Sequence, residues 1–282
     1  MHKSKIKPIL YSILSFFLTL VLFLLSICIV LRTTVFSKDY MYDAMNSCGY
    51  YAMIKTELTD ELQNLGNASG FDKEFSENFV NSLDIQSAVQ NYVASFYSGA
   101  STLVDTTLFK QSLYKAIDQY ISEKNYDKSK TSGENIDYFV NSATDIYVNQ
   151  ISIPFFSVIA NYIYKAQPLV NGLIIGLSIA ALIIATIIFF TNKYRHRRFR
   201  YLCYGLIGAC ITTAVIPCFV LLSGKIPQIN INTRSLYNLF VSYFNGLFAS
   251  FWIYVVIILV LAILTFFLYM KYYKQAVSKH SN

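Results

Sequence analysis

Acidic residues are missing from more than half of this 282-residue sequence. All 16 Asp and Glu residues lie between Asp39 and Asp145, and none precedes or follows that stretch. Only 14% of the residues are charged and 55% are hydrophobic, whereas about 25% of the residues of a typical soluble protein are charged. This balance argues against an ordinary soluble domain and indicates a membrane protein.

The basic residues are distributed differently from the acidic ones. From Arg32 to Lys165, ten Lys and Arg residues accompany the 16 acidic residues, so this region has a net charge of −6. The rest of the chain has 13 cations and no anion. A nucleic-acid-binding domain would concentrate its cations on a folded surface, whereas these cations flank apolar runs. We therefore interpret them as determinants of membrane topology and as contacts to anionic lipid headgroups.

Metal-binding and redox motifs are also missing. Four of the five Cys residues lie in apolar runs, Cys48 is alone in the polar region, and there is no CxxC spacing. The sequence therefore predicts neither a zinc site nor an internal disulfide. Cys48 is either a buried thiol or one half of an intermolecular disulfide. His2, His196 and His280 lie in basic segments without a carboxylate, which favours solvated histidines over metal ligands.

Motifs of catalysis and ion transport are absent as well. The sequence has no G-x-S-x-G, S-x-x-K or Walker motif and no Gly-rich phosphate loop. Carboxylate pairs such as Asp60 with Glu61 could serve glycosidase chemistry, but solvated helix faces are the more typical interpretation. The apolar runs lack the ionisable side chains on which ion-coupled carriers depend. We expect a protein that is not an enzyme and has no cofactor and no metal.

Four long apolar runs predict four transmembrane helices, each long enough to cross a hydrocarbon core of roughly 30 Å at about 1.5 Å per residue. The first run follows a basic tail and has no small-residue cleavage site, so we expect an uncleaved anchor rather than a signal peptide. The last one belongs to a 36-residue uncharged stretch that we expect to break at Asn245–Gly246, after an interfacial helix over residues 235–244. The predicted segments are residues 1–8 (tail), 9–31 (helix 1), 32–167 (polar region), 168–191 (helix 2), 192–200 (basic loop), 201–223 (helix 3), 224–246 (loop with the interfacial helix), 247–270 (helix 4) and 271–282 (tail).

The basic loop sets the predicted orientation. It contains five cations in nine residues, namely Lys193, Arg195, Arg197, Arg198 and Arg200. Since short basic loops remain in the cytoplasm, the loop and both termini are expected on the cytoplasmic side of the plasma membrane. Residues 32–167 then lie outside. A fifth span over residues 146–164 would reverse this orientation, so we expect a surface helix there, or one that leads into the second span.

Residues 32–167 show helical periodicity, which predicts about five helices of an extracytoplasmic domain. Gly66 and Gly99 follow apolar faces and are expected to be helix C-caps. Thr131 and Glu134 have capping-box spacing, after a flexible link over residues 125–133. The apolar positions recur at helical spacing in Phe71, Phe75 and Phe79, in Ile85, Val89, Tyr92 and Phe96, and in Phe109, Leu113, Ile117 and Ile121.

Two predicted spans have small residues at four-residue spacing, which allows helix backbones to approach closely. They are Gly172, Gly176 and Ala180 in the second span, and Gly205, Ala209 and Thr213 in the third. These ladders predict that the second span packs on the third. Alternatively, the small-residue faces pack against a second copy of the chain or against another partner protein.

The chain resembles uncharacterised membrane proteins of Gram-positive bacteria that have one anchor, a helical ectodomain and three further transmembrane helices. The segments that carry this resemblance are Tyr50-Tyr51-Ala52-Met53-Ile54-Lys55, Gly70-Phe71-Asp72 and Ala94-Ser95-Phe96-Tyr97-Ser98-Gly99. The order of spans is also similar to that of mechanotransmission-type ABC permeases, which work with a separate ATPase. An eight-residue tail and an acid-free loop depart from that second pattern.

These observations predict an all-α protein with four transmembrane helices and an extracytoplasmic helical domain between helices 1 and 2. The expected role is non-enzymatic surface binding, sensing or scaffolding in a bacterial plasma membrane. A permease subunit of an ATP-driven system is the alternative. The expected partners are the lipid bilayer and a protein partner or second copy, but neither nucleic acid nor metal.

Overall fold

The computed structural model describes residues 3–100, 104–124, 133–154 and 156–278. Over these residues the chain is all-α, with ten α-helices and no strand, as predicted. It divides into two compact units. We call Lys38–Lys165 with Asn230–Ser242 the helical unit. The apolar unit consists of Met1–Ser37, Ala166–Ile229 and Tyr243–Asn282.

Among the described residues, four helices are long and apolar enough to cross a membrane, which confirms the predicted number. The candidate spans are Lys7–Thr33, Val158–Thr191, Arg195–Gln228 and Arg234–Ser278. They belong to helices α1 (Lys3–Thr33), α8 (Phe156–Thr191), α9 (Arg195–Leu222) and α10 (Arg234–Ser278).

Helix α1 packs along α9 in the apolar unit, because small residues of α9 leave room for side chains of α1. A Cβ at Gly205 would lie only 2.8 Å from the Leu18 side chain. The same closeness lets hydroxyl groups of α1 reach the backbone of α9. Ser15 Oγ donates to the Tyr201 carbonyl at 2.8 Å, and Thr19 Oγ1 donates to the Gly205 carbonyl at 3.0 Å. Hydrogen bonds of this kind connect helices where hydrophobic burial alone gives little specificity.

Within its described residues, the helical unit contains six complete helices, where the sequence suggested about five. They are α2 (Lys38–Ser47), α3 (Tyr50–Ser69), α4 (Lys73–Ser82), α5 (Ile85–Ser98), α6 (Thr107–Glu123) and α7 (Gly133–Ile151). Helix α3 packs against α4, α5 and α7 through a buried face of Tyr50, Ile54, Leu58, Leu62 and Gly66. The apolar faces predicted for α5 and α6 are buried as expected.

One of the two predicted glycine caps is confirmed and the other is wrong. Gly99 ends α5 with φ +70° and donates to the Ser95 carbonyl, as a left-handed C-cap does. Gly66 instead lies inside α3, which continues to a left-handed cap at Gly70. A Cβ at Gly66 would be 3.4 Å from the Cβ of Phe71. The glycine at position 66 therefore serves close packing, not chain reversal.

The predicted break at Asn245–Gly246 is wrong, because α10 runs without interruption from Arg234 to Ser278. A glycine inside a helix costs only about 1 kcal/mol relative to alanine, which the packing of apolar neighbours such as Leu247 and Phe251 can offset. For residues 146–164 the sequence predicted either a surface helix or a helix that leads into the second span. The second alternative is observed, because α7 ends at Ile151, and α8 begins at Phe156 and continues into the second span.

Several predictions concern residues outside those that the structure describes. They are residues 125–132 of the flexible link predicted over residues 125–133, the capping role of Thr131, and the histidines His2 and His280. Gly133, the last residue of that predicted link, is the first residue of α7. Cys48 lies within the described residues, where its thiol is half-buried and free, and burial raises its pKa. A disulfide to another molecule remains a prediction.

Candidate functional site

The five cations of the predicted basic loop form a group that we call the basic cluster: Lys193, Arg195, Arg197, Arg198 and Arg200. The sequence placed all five in a loop before a helix that begins at residue 201. The structure instead begins α9 at Arg195, so the connection from α8 is only Asn192–Tyr194. Four of the five cations therefore lie on the first turns of α9.

Aromatic rings hold the arginines of the basic cluster in place. The guanidinium carbons of Arg200, Arg197 and Arg198 lie 4.9, 5.1 and 5.2 Å from the ring centres of Tyr201, Tyr194 and Phe189, respectively. Each distance is within the roughly 6 Å over which a cation–π contact is favourable. Arg195 lies 5.8 Å from the ring of Tyr272, near the end of α10. The rings fix the side chains without neutralising their charge.

No carboxylate of the apolar unit can neutralise the basic cluster, because the sequence of that unit contains neither Asp nor Glu. The position is unfavourable in a second respect. Cations at a helix N-terminus oppose the helix dipole by about 0.3–1 kcal/mol each. Arg198 relieves part of this cost by donating from Nε to the Asn192 carbonyl at 2.8 Å. The arrangement suits anions supplied from outside the unit, such as lipid phosphates.

The two small-residue ladders have different surroundings. Gly205 and Ala209 are buried, and the partner of Gly205 is α1 rather than the expected second span. Gly172 and Gly176 of α8 are exposed, and a Cβ at either would meet no atom within 4 Å. Ala180, the third member of that ladder, is half-buried. The expected packing of these two ladders on each other is therefore wrong.

A carboxylate that sequence reasoning missed begins α10. Ser235 donates to Glu57 twice, from its backbone N to Oε1 at 2.9 Å and from its Oγ to Oε2 at 2.6 Å. Glu57 thus caps the N-terminus of a helix that starts 178 residues later in the chain. No local sequence signal could have revealed this pair, because capping motifs join residues only three positions apart.

The helical unit also contains an open cavity of about 410 Å³, which we call the acidic cleft. It lies between the start of α5, the start of α6 and the C-terminal part of α7. Its wall includes two carboxylates, Asp84 and Asp105, and the ring of Tyr147. The remaining lining residues are Ser82, Leu83, Ser87, Ala88, Asn91, Tyr92, Val104, Leu108, Phe109 and Ser112.

Both carboxylates of the acidic cleft are held by hydrogen bonds to the chain around them. Asp84 caps α5 and accepts from the Ser87 backbone N at 3.0 Å and from Ser87 Oγ at 2.7 Å. Asp105 accepts from the Thr107 backbone N at 2.9 Å. These hydrogen bonds lower the pKa of both carboxyl groups, so both are ionised at neutral pH.

No group of three His, Cys, Asp or Glu side chains among the described residues could hold a metal ion. No family model, no curated protein and no solved structure matches the chain.

Proposed function

We propose that the chain is a multi-pass bacterial plasma-membrane protein with both termini in the cytoplasm. In this proposal the helical unit is an extracytoplasmic domain that binds or senses a ligand. The protein is not an enzyme. Its spans either transmit ligand binding from the helical unit or anchor that unit in the membrane.

One observation carries this proposal: two candidate spans begin inside the helical unit. Helix α10 starts there with the Glu57 cap, and its Ser242 Oγ lies 3.0 Å from Ser47 Oγ of α2. Helix α8 starts there with Phe156, whose ring stacks on Phe96 of α5 at 4.2 Å. Both helices continue without a break into the apolar unit. A rearrangement of α3 or α5 would therefore move the first turns of α8 and α10.

The distribution of charge supports the proposed orientation. The basic cluster belongs to a unit without acidic residues, while every Asp and Glu of the chain lies between residues 39 and 145. Cations near membrane spans favour the cytoplasmic side, and Asp and Glu contribute little to this preference. The basic cluster is then expected in the cytoplasm.

A mild-detergent purification of the tagged protein from its native membranes, read by mass spectrometry, tests the proposed role. We expect a secreted or wall-associated protein among the co-purified components. A stoichiometric ATPase would contradict surface binding. A matched variant, Lys193→Gln with Arg197→Gln, should keep an external partner, since neither exposed cation belongs to the helical unit.

The permease subunit of an ATP-driven system is the second candidate function. The unbroken helices α8 and α10 favour it too, because they would couple work at the cytoplasmic side to the helical unit. In that case the basic cluster is the docking site. The ATPase should then be lost from the Lys193→Gln, Arg197→Gln variant.

A further inference from the structure

We propose that the acidic cleft binds a ligand that carries an ammonium or guanidinium group on an aliphatic stem. This inference rests on the proposed function, since it names the ligand class that the helical unit would detect. The group can come from a free amine or from a Lys or Arg side chain of a peptide.

The charge of the acidic cleft favours a cation. Asp84 and Asp105 both line it, and no Lys or Arg is among its lining residues. Lys55 is the cation whose charge reaches Asp84, but Lys55 lies outside the lining and donates from Nζ to the Asn81 carbonyl at 3.4 Å. The acidic cleft therefore retains a net negative charge, which attracts a cation.

Tyr147 supplies a polar group that the fold itself does not use. Its side chain is 94% buried, since its exposed fraction is 6%, and its ring stacks on Phe109 at 4.2 Å. Its hydroxyl makes no hydrogen bond with any residue in the described ranges. The hydroxyl oxygen can therefore accept a hydrogen bond from a ligand ammonium group in the acidic cleft.

Burial raises the pKa of Tyr147, and the charges of Asp105 and Asp84 raise it further. The negative charges of both carboxylates disfavour ionisation of the hydroxyl, so it remains protonated at neutral pH. Asp84, Asp105 and Tyr147 all line the same cavity.

Apolar residues provide room for the stem of the ligand. Leu83, Leu108 and Phe109 line the acidic cleft, and Leu108 is 71% exposed. The cavity volume of about 410 Å³ lies within the range of roughly 300–1,000 Å³ typical of small-molecule sites. Two carboxylates without a third ligating side chain suit an organic cation better than a metal ion.

Isothermal titration calorimetry on the full chain in phosphatidylcholine nanodiscs tests the proposal. The probes are cadaverine, a free diamine, and a peptide with blocked ends and one central Lys. n-Pentanol and the Lys→norleucine peptide are their uncharged counterparts. We expect at least one cationic probe to bind more tightly than its uncharged counterpart, and to bind more weakly as ionic strength rises.

The decisive variant is Asp84→Asn with Asp105→Asn. Asn caps helices as well as Asp does, so the fold should be retained. We expect the dissociation constant of the bound probe to rise at least tenfold in this variant and about threefold in Tyr147→Phe. The matched control, Asp145→Asn, removes an exposed charge from the helix that carries Tyr147 and should bind as the wild type does.

Absence of binding by both cationic probes would overturn the proposal, and so would an unchanged dissociation constant in the double variant. Tighter binding of the peptide would assign the site to a polypeptide ligand, and tighter binding of cadaverine to a free amine; both support the proposal. The measurement does not depend on membrane orientation. A failure here therefore leaves the proposed topology to its own test.

Discussion

At the scale of single residues, Glu57 joins two distant parts of the chain through its contacts with Ser235. Replacing it with Ala removes both hydrogen bonds to Ser235 and a negative charge at the start of α10. We expect Glu57→Ala to lower the free energy of unfolding by about 1–2 kcal/mol, measured as a lower Tm of the detergent-solubilised chain.

Asp60→Ala is the matched control for Glu57→Ala, because it removes an exposed carboxylate from the same helix. We expect its effect to remain within about 0.5 kcal/mol. Equal effects of the two substitutions would show that the Glu57–Ser235 contact does not stabilise the chain.

The acid stability of the helical unit also depends on individual residues. The backbone N–H of Phe75 lowers the pKa of Asp72 most, and Lys124, 3.1 Å away, lowers it further. A carboxyl group whose pKa is lowered on folding stabilises the fold above its unfolded pKa of about 3.9. That contribution is lost as the pH falls through the lower, folded pKa.

We expect the urea midpoint of the helical unit to change little between about pH 7 and pH 5 and to fall below about pH 4. The sequence of the helical unit contains no His that would titrate in the upper range. Asp72→Asn keeps the cap of α4 but removes the charge, so its acid-induced drop should be smaller. Circular dichroism of wild type and variant across this range measures the difference.

At the scale of the helices, the sequence predicted the buried face best where apolar residues recur at helical spacing over several turns. The repeats of α5 and α6 predicted their buried faces, because a 3.6-residue period leaves little choice of orientation. Helix ends were harder to predict. Gly66 and Gly246 lie inside helices. At Gly66 the close neighbour is Phe71, and such a packing partner is not visible in the sequence.

The partner of a small-residue ladder is likewise a tertiary property. Gly205 packs on α1, whereas Gly176 of α8 faces open space within the chain. We expect Gly205→Leu to lower the Tm of the purified protein, because overpacking typically costs about 1–3 kcal/mol. Gly176→Leu should leave the Tm of the monomer unchanged.

Size-exclusion chromatography with light scattering on the same two variants tests whether a second copy of the chain packs on the small residues of α8. If Gly176→Leu dissociates an oligomer, the exposed ladder is a partner face. An unchanged Tm for Gly205→Leu would contradict the packing of α1 on α9.

At the scale of the whole molecule, composition predicted the four apolar helices, because a span needs about 20 apolar residues in sequence. The acidic cleft could not be predicted in the same way. Asp84, Asp105 and Tyr147 come from different parts of the helical unit. Their individual positions match ordinary caps and a core aromatic residue, so only the fold brings them together.

The most direct test of the proposed architecture is thiol labelling of intact cells with a membrane-impermeant maleimide. The five native Cys residues are replaced with Ala, and one Cys is introduced at Asp145 or at Lys193, both of which are exposed. We expect position 145 to be labelled in intact cells and position 193 only after permeabilisation. Labelling of position 193 in intact cells, with position 145 protected, would contradict an extracytoplasmic helical unit and a cytoplasmic basic cluster.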